Sequence, residues 1–285
     1  MNNKYKGIGF IILSAFGFAL MSVFVKLSGD IPVMQKVLFR NGVSMIIGFG
    51  MIVTHTSQKR IELNDYKWLI LRSSFGTIGM VLFFFSISEL VLSDANMINK
   101  LSTFFLIGFS AIFLKESIKR YQIIAIIVAF IGTLFIIKPV FDVEIIPYLA
   151  AVFAAIFAGA AYTTLRYLGN KVEYYKVVFF FSSFSSVVLL PFVLFNYEAM
   201  DTKQVVYLLL GGIFATVGQF GVTLAYKYAP ANEISIFNYF NVLFAALFSV
   251  LIFSEFPDIY SLIGYVIVFG ASYYMFIKKA KLLVD

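Results

Sequence analysis

No cysteine occurs anywhere in the 285 residues, so neither a disulfide framework nor a thiolate metal site can be built from this chain. Histidine is nearly absent too. The one copy, His55, falls in a short polar segment between apolar runs. No H-E-x-x-H, G-x-S-x-G, ATP-binding motif or pair of acids within an apolar run is present. The expectation is therefore no enzyme, no catalytic residue, no bound metal and no cofactor. Charge is also scarce, at 13% of residues against roughly 25% in soluble domains. The formal net charge of +7 would suit nucleic acid. The positive residues, however, are scattered over short loops without a basic patch, which excludes nucleic acid as a partner.

What remains is oil: 61% hydrophobic residues and a mean hydropathy of +0.93. Ten runs are long enough to cross a bilayer, at about 7–27, 33–53, 68–88, 94–114, 121–138, 147–168, 175–195, 205–226, 232–253 and 259–277. This pattern predicts an all-α integral membrane protein of ten transmembrane helices, with the lipid bilayer as its first partner. The first run has no small-residue cleavage site after it and reads as a membrane helix, not as a removable signal. Fifteen of the 22 Lys and Arg residues fall in segments on one side and four on the other. By the positive-inside rule both termini face the cytoplasm, here across the cell membrane.

The chain also repeats itself. Ser93–Glu116 returns 139 positions later as Asn232–Glu255, aligning Asn99 with Asn238, Phe105 with Phe244, Ser110 with Ser249 and Glu116 with Glu255. The first helix echoes the sixth, placing Lys26 over Arg166 and Gly29 over Gly169. Five helices per half is an odd number, so the halves (1–140 and 141–285) enter the membrane from opposite sides. Inverted repeats with polar helices near the midplane are a secondary-transporter architecture.

Polar residues inside apolar runs are the candidate substrate contacts, because they are costly in lipid unless they face protein or a water-filled cavity. Asn96, Asn99, Lys100 and Thr103 follow i, i+3, i+4 and i+7, one face of a continuous helix. Ser235, Asn238 and Asn241 repeat that stripe. Gln219 shares a face with Thr216, Thr223 and Tyr226, while Ser14, Phe18, Met21 and Ser22 offer a mixed face on the first helix. Tyr162 and Thr163 do the same on the sixth. Lys100, the deepest cation, would meet a substrate carboxylate or phosphate, or else pair with Asp94 or Glu89. Tyr162, Tyr239 and Phe240 could form an aromatic cage for a quaternary ammonium ion. Arg40 and Arg72 are read as interfacial anchors or ion-pair partners. Glu116 and Glu255 are read as helix-end anchors, and Glu233 as the acid best suited to a coupling proton. Small residues Ala125, Ala129 and Gly132 allow close helix packing, which would serve a homodimer or contacts within the chain.

Ala15–Lys26, Arg40, the paired helices ending at Glu116 and Glu255, and the runs Ile131–Pro139 and Gly264–Phe276 together resemble the drug/metabolite transporter superfamily, specifically its ten-helix EamA-like family. Thr103 and Val242 stand where that family often has proline. The resemblance implies a central cavity walled by helices one, three, four, six, eight and nine, with five and ten peripheral. It also implies a small-molecule substrate drawn from amino acids, sugars, nucleotide-related metabolites or cations. The first helix lacks an acid to meet a cationic drug, so the expected function is secondary active transport of a small polar metabolite, an amino acid or related zwitterion, by alternating access. Export of cationic drugs or quaternary ammonium compounds is the alternative. Energy would come from an ion or substrate gradient, with a proton as the coupling ion considered.

Overall fold

The computed structural model describes residues 3–54, 61–115, 118–137, 145–168, 171–228 and 235–281. His55, Glu116, Gly169, Glu233 and the boundary at 140/141 lie outside these, as do the side chains of Thr223, Tyr226 and Ser235. The described chain is helical: α1 Asn3–Leu27, α2 Val33–Thr54, α3 Leu63–Glu89, α4 Leu92–Asn99, α5 Ser102–Phe113 and α6 Arg120–Ile137. Then follow α7 Ile146–Leu168, α8 Tyr174–Phe195, α9 Thr202–Tyr228, a 3₁₀ turn Ser235–Tyr239, α10 Phe240–Phe253 and α11 Ile259–Lys281. Among the described residues, nine spans of 18–27 residues are apolar enough to cross a membrane, with Phe237–Phe253 as a shorter tenth. Ten crossings bring Asn3 and Lys281 to the same end of the bundle.

Packing respects the repeat. Helix α1 lies on α9 and α10, as α7 lies on α3 and α5; α2 packs on α8, and α6 on α11. Exchanging the halves converts each of these pairs into another member of the set or into itself. Contact between α1 and α9 depends on glycine. A Cβ added to Gly17 would lie 2.8 Å from the Gly218 nitrogen, so the two backbones touch with no room for a side chain. The repeat extends to unusual backbone: Lys115 and Ser254, both at φ 55°, occupy equivalent positions ahead of Glu116 and Glu255. Left-handed residues of this kind end a helix abruptly.

One expectation needs correction. The polar stripe does not run along one uniform α-helix: the fourth span stays helical, but at Lys100–Leu101, between α4 and α5, its backbone bonds tighten to i→i−3. The second half changes from 3₁₀ to α at Tyr239–Phe240, the equivalent place. No proline or glycine marks either change, so local sequence gave no sign of them. The small residues of α6 are covered from within: Ala125 and Ala129 are buried, and a Cβ on Gly132 would strike Ile267 and Val268 of α11. That stripe serves contact within the chain.

Candidate functional site

Helices α2, α3, α8 and α9 meet around a narrow cleft whose walls carry Arg40, Ser44, Arg72, Phe181, Thr216 and Gln219. Arg40 sits seven residues into α2 and Arg72 nine into α3, which is roughly 10 and 14 Å along their helices at 1.5 Å per residue. They are only 5% and 8% exposed. The anchor reading is therefore wrong for both: they point into the bundle, not to its rim.

Each guanidinium is held from one side. Arg40 Nη1 donates to Asn41 Oδ1 at 2.7 Å, and Asn41 Nδ2 donates to Ser185 Oγ at 2.7 Å, fixing the amide that fixes the arginine. Arg72 lies flat over the Phe181 ring, 4.0 Å from its centre, a cation–π contact. A Cβ on Gly76 would come within 2.7 Å of Arg72 Nη1 and 2.9 Å of Phe181, so glycine is what lets the guanidinium lie there. Ser44 and Thr216 hydroxyls meet at 3.1 Å, and Thr216 donates onward to the Gly212 carbonyl at 2.8 Å.

The other side of each cation is unmet. Arg40 Nε, Arg72 Nε and Arg72 Nη1 are buried without a hydrogen-bond acceptor among the described residues. No Asp or Glu is among the described residues lining the cleft. The two guanidiniums are close enough to repel one another, and Tyr162 is close enough to feel both. A buried charge without its partner costs about 3–5 kcal/mol. Natural proteins rarely keep two such groups together except where a ligand completes them.

The end of the bundle opposite the termini is built differently. Lys26 Nζ is 2.6 Å from Glu255 Oε2 and 2.7 Å from the Leu90 carbonyl. Gln35 and Glu198 exchange two hydrogen bonds, of 2.8 and 3.2 Å. Gln204 donates to the Ser28 carbonyl at 3.2 Å. Tyr265 donates to Asp94 Oδ1 at 2.5 Å and Ser261 to its Oδ2 at 3.3 Å. Apart from the Lys26–Leu90 bond, each of these links joins one half of the chain to the other.

The residues singled out from sequence are dispersed. Gln219 lines the cleft, and Tyr162 is 47% exposed beside the two arginines. Lys100 is half-buried between α4 and α5, and its ammonium has no hydrogen bond or ion pair to the described residues. Asn99 is also half-buried, on the last turn of α4, and Thr103 is exposed. Asn96 donates to the Leu92 carbonyl of its own helix at 2.8 Å. Asn241 donates to Ala15 at 3.2 Å and Ser14 to Gly218 at 2.6 Å, both bonds between helices. Phe18 packs its ring over Gly218. Asn238 is half-buried in the 3₁₀ turn. Tyr239 shares a hydrogen bond with Ser272 and meets Phe269 edge-on, both on α11. Tyr162 thus keeps company with cations and Tyr239 with α11, which does not make the cage weighed for a quaternary ammonium.

Comparison with known proteins agrees with this architecture. The chain is 27% identical over 265 residues to a pseudopaline exporter, CntI, of Pseudomonas aeruginosa, covering 92% of this chain and 93% of that protein. It is 26% identical to an uncharacterized transporter of Helicobacter pylori over 90% of each. Human solute carrier family 35 member G1 is 24% identical across 96% of this chain and 79% of its own. One crystal structure, only 14% identical, superposes with a TM-score of 0.71 over 97% of this chain and 98% of the other, showing the shared fold. The family model for EamA-like transporters matches residues 5–138 and again 145–277. By that match over nearly the whole chain, and by its transporter relatives, the chain is a transporter and not an enzyme, and it belongs to the EamA-like transporter family.

Proposed function

We propose that the chain is a secondary transporter that moves a small polar metabolite bearing an acid group, an amino acid or a related zwitterion, across the cell membrane by alternating access. Both termini lie in the cytoplasm, and an ion or substrate gradient, with a proton as the coupling ion, drives the cycle. The observation carrying this reading is the pair of buried arginines without an acidic partner among the described residues, in a cleft between helices of both halves. The fourth and ninth spans supply irregular backbone beside the core, a feature of transporter folds. The polar links at the far end hold the halves shut there, so the cleft reaches water from the side of the termini. Export is the favoured direction, since the Pseudomonas relative carries that name.

The absence of cysteine makes the test clean. A Ser44→Cys variant in proteoliposomes of known orientation should react with a membrane-impermeant maleimide from the terminal side. Glu255→Gln should raise labelling from the far side. Equal labelling from both sides in every condition would contradict alternating access. Stabilisation by quaternary ammonium compounds, with none by carboxylates, would replace the metabolite reading with cation export.

A further inference from the structure

The charge arithmetic of the cleft says more about its ligand than that it is polar. Two guanidiniums line it, both more than nine-tenths buried, and no carboxylate among the described lining residues offsets either one. A simple zwitterion brings one carboxylate together with its own ammonium. It would neutralise neither site fully and would set a third cation beside two. A ligand with two acid groups removes the mutual repulsion and supplies acceptors for all three unmet N–H donors. Arginine is suited to this, because its fork matches the two oxygens of a carboxylate.

We propose that the cleft is a binding site for a dicarboxylate, in which Arg40 and Arg72 each hold one carboxylate of the same small molecule. Acidic amino acids belong to this class, so the inference rests on the transport reading above and narrows it. The two arginines play different parts. Arg40 is oriented by the Asn41–Ser185 relay and is the fixed post. Among the described residues Arg72 is held only by a ring face, next to the space Gly76 leaves open, and is the movable one. Gln219, with an amide that both donates and accepts, lies where it can bond a further polar group on the ligand. Phe181 closes one wall and supports Arg72 without competing for its protons.

The experiment is thermal unfolding of the full-length protein in detergent, at constant ionic strength, with succinate, aspartate, alanine, glycerol phosphate or choline. Succinate and aspartate should each raise Tm by several degrees, and alanine and choline by less than one. Arg40→Gln and Arg72→Gln should each abolish the shift. Their ligand-free Tm should stay level or rise, because each relieves an uncompensated charge, and this separates a binding role from a structural one. If either variant does not fold, Gly76→Ala serves instead, since it displaces the Arg72 guanidinium without removing it and should at least halve the shift. A shift with glycerol phosphate alone, or with alanine equal to succinate, overturns the dicarboxylate assignment. So does a ligand shift that survives both substitutions. Those results leave the transport reading standing, which fails separately if cleft labelling never depends on the side of the membrane.

Discussion

Lys26 and Arg72 are cations of the same apolar bundle in opposite situations. Lys26, near the far end, is paired with Glu255 and bonded to a carbonyl, whereas Arg72, near mid-depth, has a ring beneath it and two unmet N–H groups. The cost of placing charge in a membrane is met within the protein in the first case and not in the second. The difference separates a latch from a binding site. The far-end links tie the halves together and are complete as they stand, while the cleft is complete only with a ligand in it.

The largest way to break this contrast is to neutralise the cleft. Arg72→Gln should weaken dicarboxylate binding by about 100-fold or more, since removing one partner of a buried charged hydrogen bond costs about 2–5 kcal/mol. Titration by calorimetry reads the loss. Next comes the latch. Glu255→Gln should cost about 1–2 kcal/mol of stability, discounted because about a third of the Glu255 side chain is open to solvent. A double-mutant cycle with Lys26→Gln should return most of that as coupling energy, and a coupling near zero would mean the pair is incidental. A finer probe is Gly76→Ala, which moves the Arg72 guanidinium and should weaken binding about tenfold while leaving the melting temperature of the ligand-free protein nearly unchanged. Smallest is Ser14→Ala, which removes the 2.6 Å bond to Gly218. It should cost only about 0.6 kcal/mol of stability and nothing in affinity, as expected of a residue in the α1–α9 contact.

The span count and the repeat could be read from sequence because run length and offset are one-dimensional properties. Apolar length alone locates a crossing, and matches such as Asn99 with Asn238 need no geometry. The arginines were harder. Depth along a helix was countable, but the face each side chain takes, and whether an acid stands opposite, depends on how α2 and α3 pack against α8. A signal was present all the same: Arg40, Arg72 and Lys100 are the three basic residues that the count of loop charges assigns to neither side of the membrane. Asn96, Asn241 and Ser14 show why polarity alone is ambiguous: in lipid it signals either a ligand or a neighbouring carbonyl, and these three each donate to a carbonyl. The changes of helix type at Lys100–Leu101 and Tyr239–Phe240 carry no helix-breaking residue, so only tertiary packing sets them.

The most direct test is counterflow in proteoliposomes: labelled aspartate outside, unlabelled succinate, aspartate or alanine trapped within. Accumulation of label driven by trapped succinate and aspartate but not by alanine, and lost in Arg72→Gln, is the expected result. Accumulation undiminished in that variant, or driven equally by alanine, would show that the unpaired arginines are not where the solute binds.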